Sequence, residues 1–181
     1  MTQDSAFFSR FLDLFPGWLR TLGDDARLLG SVVSGEDAEA SKWYAAAGLT
    51  YIFKSLDLIA DGVEDIGLCD DAFVIRVASR LACEEESAPN EGIVGRLSDD
   101  AKLVEEFLGA DDYTRLVTYV KALRKSSARG RTVEDIMSDD AQRQAFLHEV
   151  TAWADTYQIP TFTRDVKTLI KLKAFLTAKL A

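Results

Sequence analysis

Apolar positions recur along this chain at helical spacing and do not alternate. Tyr113, Leu116, Val117, Val120 and Leu123 fall at i, i+3, i+4, i+7 and i+10, and Phe146, Val150, Trp153 and Tyr157 continue the same kind of register further on. Each set lines one face of a helix, the face a packed protein buries. Near the start, Phe8, Phe11, Leu12, Phe15, Trp18, Leu19 and Leu22 keep helical phase across Pro16. An aromatic face of this kind is core in the usual case, and a dimer or partner surface if it is left bare. Prolines stand only at 16, 89 and 160, so little interrupts the stripes. The prediction is an all-α fold, a single compact helical bundle of about seven to eight helices.

The predicted helices lie near 4–22, kinked or broken at Pro16-Gly17, then near 36–60, 69–84, 98–108, 111–126, 132–137, 138–158 and 162–180. Trp43 to Phe53 reads WYAAAGLTYIF, apolar on every side, with small residues where another helix can approach. It is expected to form the central helix. Cys83 to Arg96 contains Glu84-Glu85-Glu86, Pro89, Asn90 and two glycines, and is predicted as a long loop. Within one domain, 1–181, that loop separates a segment at 43–83 from a C-terminal helical part at 98–181.

Four copies of Asp-Asp-Ala, at 24–26, 70–72, 99–101 and 139–141, read as helix starts, because short acceptors and negative charge suit the free N–H groups of a first turn. Their flanks do not match, so they are not an internal repeat. Thr132-Val133-Glu134-Asp135 is a weaker variant of the same signal.

Composition narrows the functional classes. Hydrophobic residues at 48% and charged residues at 28% are the balance of a folded soluble protein. A formal charge of −9 argues against a general nucleic-acid binder, which needs a positive field. Cys69 and Cys83 stand apart with no CxxC pattern and are expected to be thiols in a reducing cytoplasm. Asp4 precedes the N-terminal aromatics without a basic leader, so no signal peptide is read, and no run approaches the ~20 apolar residues of a membrane span. The only histidine, His148, falls off its helix's apolar stripe and is expected in solvent. Neither a glycine-rich phosphate loop nor a dinucleotide fingerprint is present, so no catalytic residue is assigned.

Asp57, Asp61, Glu64, Asp65, Asp70 and Asp71 crowd into a stretch without lysine or arginine. On a continuing helix Asp57 and Asp61 would share a face, at a cost of a few tenths of a kcal/mol, roughly 0.2–0.5. The reading preferred from sequence is that Asp70 and Asp71 cap the next helix while Asp57 and Asp61 take backbone N–H groups or distant basic partners. The alternative is a hard-cation site for Mg²⁺, Mn²⁺ or Ca²⁺ at Asp57, Asp61, Asp70 and Asp71, since these ions take carboxylate oxygens.

The run SLDLIADGVEDIGLCDDA followed by FVIRVASRLA resembles the YkvA-like family, small bacterial helical domains of unknown function. The matching positions are Tyr51, Asp57, Leu58, Ile59, Asp61, Gly67, Asp70 and Asp71, and the resemblance spans roughly residues 43–83. The family carries prolines where this chain has Ala60 and Val63-Glu64-Asp65, which implies a helix running further here. Many members look membrane-associated, a property that Glu64, Asp65 and Arg76 dilute in this chain.

The last predicted helix opposes an apolar stripe to Arg164, Lys167, Lys171, Lys173 and Lys179, with Asp165 the one acid. It is expected to dock on the acidic body with Leu169, Ile170, Phe175 and Leu176 buried, and alternatively to rest on an anionic membrane surface. The functional expectation is a cytoplasmic, non-enzymatic interaction or regulatory protein with a protein partner or a second copy of itself. Divalent-cation binding is the alternative from a different class.

Overall fold

The computed structural model describes residues 3–54, 57–87 and 90–181; Ser55 and Pro89, both used in the sequence reading, lie outside them. The helices are α1 (Gln3–Ser9), α2 (Phe11–Ser34), α3 (Glu39–Ile52), α4 (Cys69–Glu86), α5 (Ile93–Leu108), α6 (Ala110–Ala122), α7 (Val133–Ser138), α8 (Asp140–Thr156) and α9 (Val166–Leu180). A 3₁₀ turn at Leu123–Lys125 follows α6. The all-α prediction holds. The one sheet among the described residues is a hairpin pairing β1 (Ser127–Ala128) with β2 (Arg131–Thr132). Its two-residue turn requires left-handed backbone, found at Arg129 (φ 52°) and Gly130 (φ 75°).

Pro16 does not break the first long helix. The chain bends at Arg10 instead, and α2 runs through Pro16 to Ser34. An interior proline costs about 3 kcal/mol, and full burial of Phe11, Phe15, Leu19 and Leu22 along one stripe, at about 1.5–3 kcal/mol each, outweighs it. Phe15 meets Phe73 of α4 edge-on at 5.0 Å and Phe107 of α5 at 4.9 Å, so this stripe is core.

Two helices share the centre. α3 is buried along most of its length, as expected for WYAAAGLTYIF, and α4 is buried on every side from Cys69 to Ala82 except at Arg80. They meet at Gly48, where a Cβ would stand 3.4 Å from Ile75 Cγ2, an ordinary contact. α5 packs along α4, across a connection shorter than the predicted 83–96 loop, since α4 persists to Glu86 and α5 already begins at Ile93.

Of the four Asp-Asp-Ala sites, Asp139 alone has a side chain that caps, accepting from the N–H groups of Ala141 and Gln142. Asp24-Asp25 lies inside α2 and Asp99-Asp100 inside α5. The reason is a buried arginine on α4. Arg76 is fully buried over the Trp18 ring, 4.0 Å from its centroid, and donates from Nε to Asp100 Oδ2 at 3.2 Å. Its other flank faces Asp25 at 3.9 Å, which also pairs with Arg96. The Thr132 signal is a true capping box, closed by Asp135.

α9 lies against the body through Leu169, Leu172 and Leu176. Ile170 and Phe175, expected to be buried, are 54% and 37% exposed, because the docked face is centred on Leu172. His148 is exposed, and Cys69 and Cys83 are free thiols on α4. No helix among the described residues is long and apolar enough to cross a membrane.

Candidate metal centre

α3 stops at Ile52, so Asp57 and Asp61 lie on a loop and not on the helix predicted to near residue 60. From Asp57 to Leu68 the chain folds back in tight turns, with Val63 N–H donating to Ala60 O (2.9 Å) and Cys69 N–H to Ile66 O (3.1 Å). Leu58, Ile59 and Ile66 are buried and pin the loop into the core. Asp65 takes left-handed backbone at φ 70°. Gly67 is needed for close approach, since a Cβ there would fall 2.0 Å from the Asp61 carbonyl oxygen.

This fold-back brings the loop aspartates to the start of α4. One oxygen from each of Asp57, Asp61 and Asp71 lies within 4.8 Å of the others. Asp71 is fully buried, and neither of its carboxylate oxygens meets a donor among the described residues. Asp57 Oδ1 and Asp70 Oδ1 are likewise buried without a partner. No ion pair among the described residues reaches any of the four.

Asp70 has a different task. Its Oδ2 accepts from the Tyr51 hydroxyl and from Ile59 N–H at 3.2 Å, while Tyr51 Oη accepts from Leu58 N–H at 2.8 Å. The pair Tyr51 and Asp70 therefore ties the loop to both central helices. The capping reading of Asp70 and Asp71 is corrected by this geometry: Leu68 stands at the N-cap of α4 and no side chain caps it. The carboxylates point across to the loop, where Asp57 and Asp61 stand.

Electrostatics follow from the crowding. Burial first, then the charges of Asp70 and Asp61, push Asp57 up to about 7. Burial raises Asp61, while hydrogen bonding from the Asp57 carboxyl opposes the rise. Asp70 is raised to about 7 by burial against the opposing pull of Tyr51 and Ile59 N–H. Asp71 is held well above the ordinary carboxylate range by burial and then by Asp70, Asp61 and Asp57. Tyr51 is raised as well, by burial and the neighbouring Asp70 charge. All four carboxyls thus resist ionisation, since burial and the like charges outweigh the pull of Lys54 on Asp57.

Asp71 is buried, Asp57 half-buried and Asp61 exposed, so the cluster opens to solvent on the Asp61 side. From the C-terminal side, Thr163 donates to Asp65 through both its N–H (3.0 Å) and its hydroxyl (2.9 Å), and Lys171 Nζ donates to the Glu64 carbonyl at 3.0 Å. The roles of Tyr51, Thr163 and Lys171 were not read from sequence. Tyr51 was singled out there only as one of the resembling positions, without a role. Comparison of the chain with protein-family models, curated proteins and solved structures returned no match.

Proposed function

We propose that this protein binds a divalent cation through Asp57, Asp61 and Asp71, with Asp70 and Tyr51 holding the site in shape. The observation that carries the reading is Asp71, a wholly buried carboxylate with two unpartnered oxygens, facing two further carboxylates and in no ion pair among the described residues. An ionised carboxylate left so costs several kcal/mol, on the order of what makes buried charges seek a counter-ion or a proton. The donors are all hard oxygens, which suits Ca²⁺, Mg²⁺ or Mn²⁺ and not a soft metal. A spread of up to 4.8 Å is accommodated by one Ca²⁺, whose opposite ligands stand ~4.6–5.2 Å apart at the usual bond lengths. The open Asp61 side leaves room for water in the remaining positions.

The role is regulatory and not catalytic. A cation drawing Asp57 and Asp61 onto Asp71 fixes the loop, and the loop holds the C-terminal segment through Asp65 and Glu64. Cation occupancy then sets how firmly α9 and its exposed Ile170 and Phe175 are held, which is a surface a partner can read.

The test is thermal melting and calorimetric titration of chelator-treated protein with Mg²⁺, Mn²⁺ and Ca²⁺. At a hundred times the dissociation constant the expected stabilisation is about 2.7 kcal/mol. A melting temperature unmoved by all three at millimolar concentration would overturn the reading.

A further inference from the structure

Away from the aspartates, a cavity of about 540 Å³ opens between the start of α3, the end of α6 with its 3₁₀ turn, and the start of α7. We infer that it binds a small phosphorylated aromatic molecule, with a mononucleotide as the ligand class. Trp43 and Tyr44 of α3 supply its aromatic wall, and Lys121, Arg124, Lys125 and Glu134 also line it. Three cations against one acid leave +2, or +1 once Glu85, the partner of Arg124, is included. The molecule as a whole carries −9, so a concave surface of opposite sign is a local concentration against the background.

The three bases are not equivalent. Arg124 is already committed: its guanidinium lies 5.2 Å from the Trp43 ring centroid and 5.0 Å from that of Tyr44, and it donates to Glu85 at 3.0 Å. It is thereby fixed as a flat cationic plate over the aromatic wall, a surface on which a planar ring can stack. Lys121 and Lys125 are exposed and enter no ion pair among the described residues. Their ammonium groups are free to meet a phosphate as point charges. Lys121 suits the negative end of α6, and Lys125 that of the 3₁₀ turn continuing it, which accounts for basic residues there and not for the cavity beside the Trp43 ring.

Size selects the ligand. The cavity falls within the ~300–1,000 Å³ of small-molecule sites and far exceeds what an inorganic anion fills. A body with a flat face and an anionic end matches the Arg124 guanidinium and the part-exposed Trp43 ring beside two free ammonium groups. Glu134 adds an acceptor for an exocyclic amino group. Recognition here is by side chains, consistent with the absence of a glycine-rich phosphate loop.

The experiment is calorimetric titration of the full chain with AMP, ADP, adenosine and inorganic phosphate in EDTA, with the Trp43 indole N–H followed by NMR. Expected are one-site binding of ADP and AMP, a shift of the Trp43 resonance, and affinities for adenosine and for phosphate weaker by at least about tenfold. The double variant Lys121→Glu/Lys125→Glu, at exposed positions, should keep the helical circular dichroism and lose at least about tenfold in ADP affinity. Asp71→Asn should bind ADP as the parent does, which separates this pocket from the cation site. Absence of saturable binding at millimolar AMP and ADP, phosphate or adenosine binding as tightly as ADP, or an unaltered double variant would each overturn the assignment.

Discussion

A carboxylate taken out of water needs a cation, a set of N–H donors or a proton, and the aspartates of this chain meet that need in different ways. Asp139 finds two backbone N–H groups, Asp25 and Asp100 find Arg76, and Asp71 finds neither donor nor base among the described residues. Removing the Arg76 side chain takes the buried partner from Asp100 and leaves Asp25 to Arg96 and the Thr21 hydroxyl, so Arg76→Met is expected to destabilise by about 1–3 kcal/mol in chemical denaturation. A loss under about 1 kcal/mol would show the network to be incidental. Burial lowers Arg76 to about 10 while Asp100 and Asp25 hold it up, so it stays charged at neutral pH. Asp71→Asn has the opposite sign. At pH 8 without metal it removes a carboxyl that burial and three like charges oppose, and should stabilise by about 1–3 kcal/mol while abolishing the response to added cation. If the variant is less stable at pH 8 and still answers to cation, Asp71 is not a ligand. The shared Asp-Asp-Ala tripeptide does not tell Asp25, Asp71 and Asp100 apart; the partner, supplied or withheld by another helix, decides.

At the level of elements, helix interiors were legible, as were ends such as the start of α4 at Cys69 and the end of α5 at Leu108, while the ends of α2 and α3 and the start of α5 were not. The stripes of α2, α6 and α8 could be counted from spacing, because burial of one face has a fixed period. The end of α3 could not: Phe53 to Asp61 contains neither glycine nor proline, and the helix stops because Tyr51 and Asp70 take the N–H groups of Leu58 and Ile59. That is a contact between residues on two helices, invisible in local pattern. The candidate site was half legible for the same reason. The crowding of acids was on view, and their convergence required knowing that the loop folds back over Gly67. The two close-packed glycines differ in consequence. At Gly48 an added Cβ meets a side chain at 3.4 Å, ordinary contact, and alanine gains about 1 kcal/mol of helix propensity, so Gly48→Ala should stabilise slightly. At Gly67 it would meet backbone at 2.0 Å, so the loop must open. Gly67→Ala should cost more than about 1 kcal/mol and erase cation-induced stabilisation in melting experiments. Retention of the full cation response in Gly67→Ala would show that the fold-back does not build the site.

For the whole molecule, the aspartate cluster makes stability a function of pH and cation together. Asp57 and Asp70 are raised to about 7, with Asp61 and Asp71 raised too, whereas an unfolded chain loses these protons near the ordinary value of 3.8. Between those limits the folded state holds more protons than the unfolded state, and stability therefore falls as pH rises. The contribution is complete below about 4 and is lost as pH climbs through about 7. Asp135, lowered by its hydrogen bonds to Thr132, shifts the other way and acts at the acid end, outside this window. A bound cation takes the place of the protons, so its stabilising effect must grow over the same range in which the proton contribution disappears. Metal-free protein is expected to melt at a lower temperature at pH 8 than at pH 5.5, and saturating cation should flatten or reverse that slope. The release of protons on cation addition at pH 6, measured in weakly buffered solution, is the independent check, and Asp71→Asn should reduce both the slope and the release. A metal-free melting temperature that is level from pH 5.5 to 8, with no proton release on cation addition, would mean that these carboxyls are not held against ionisation and that the cluster is not the cation site.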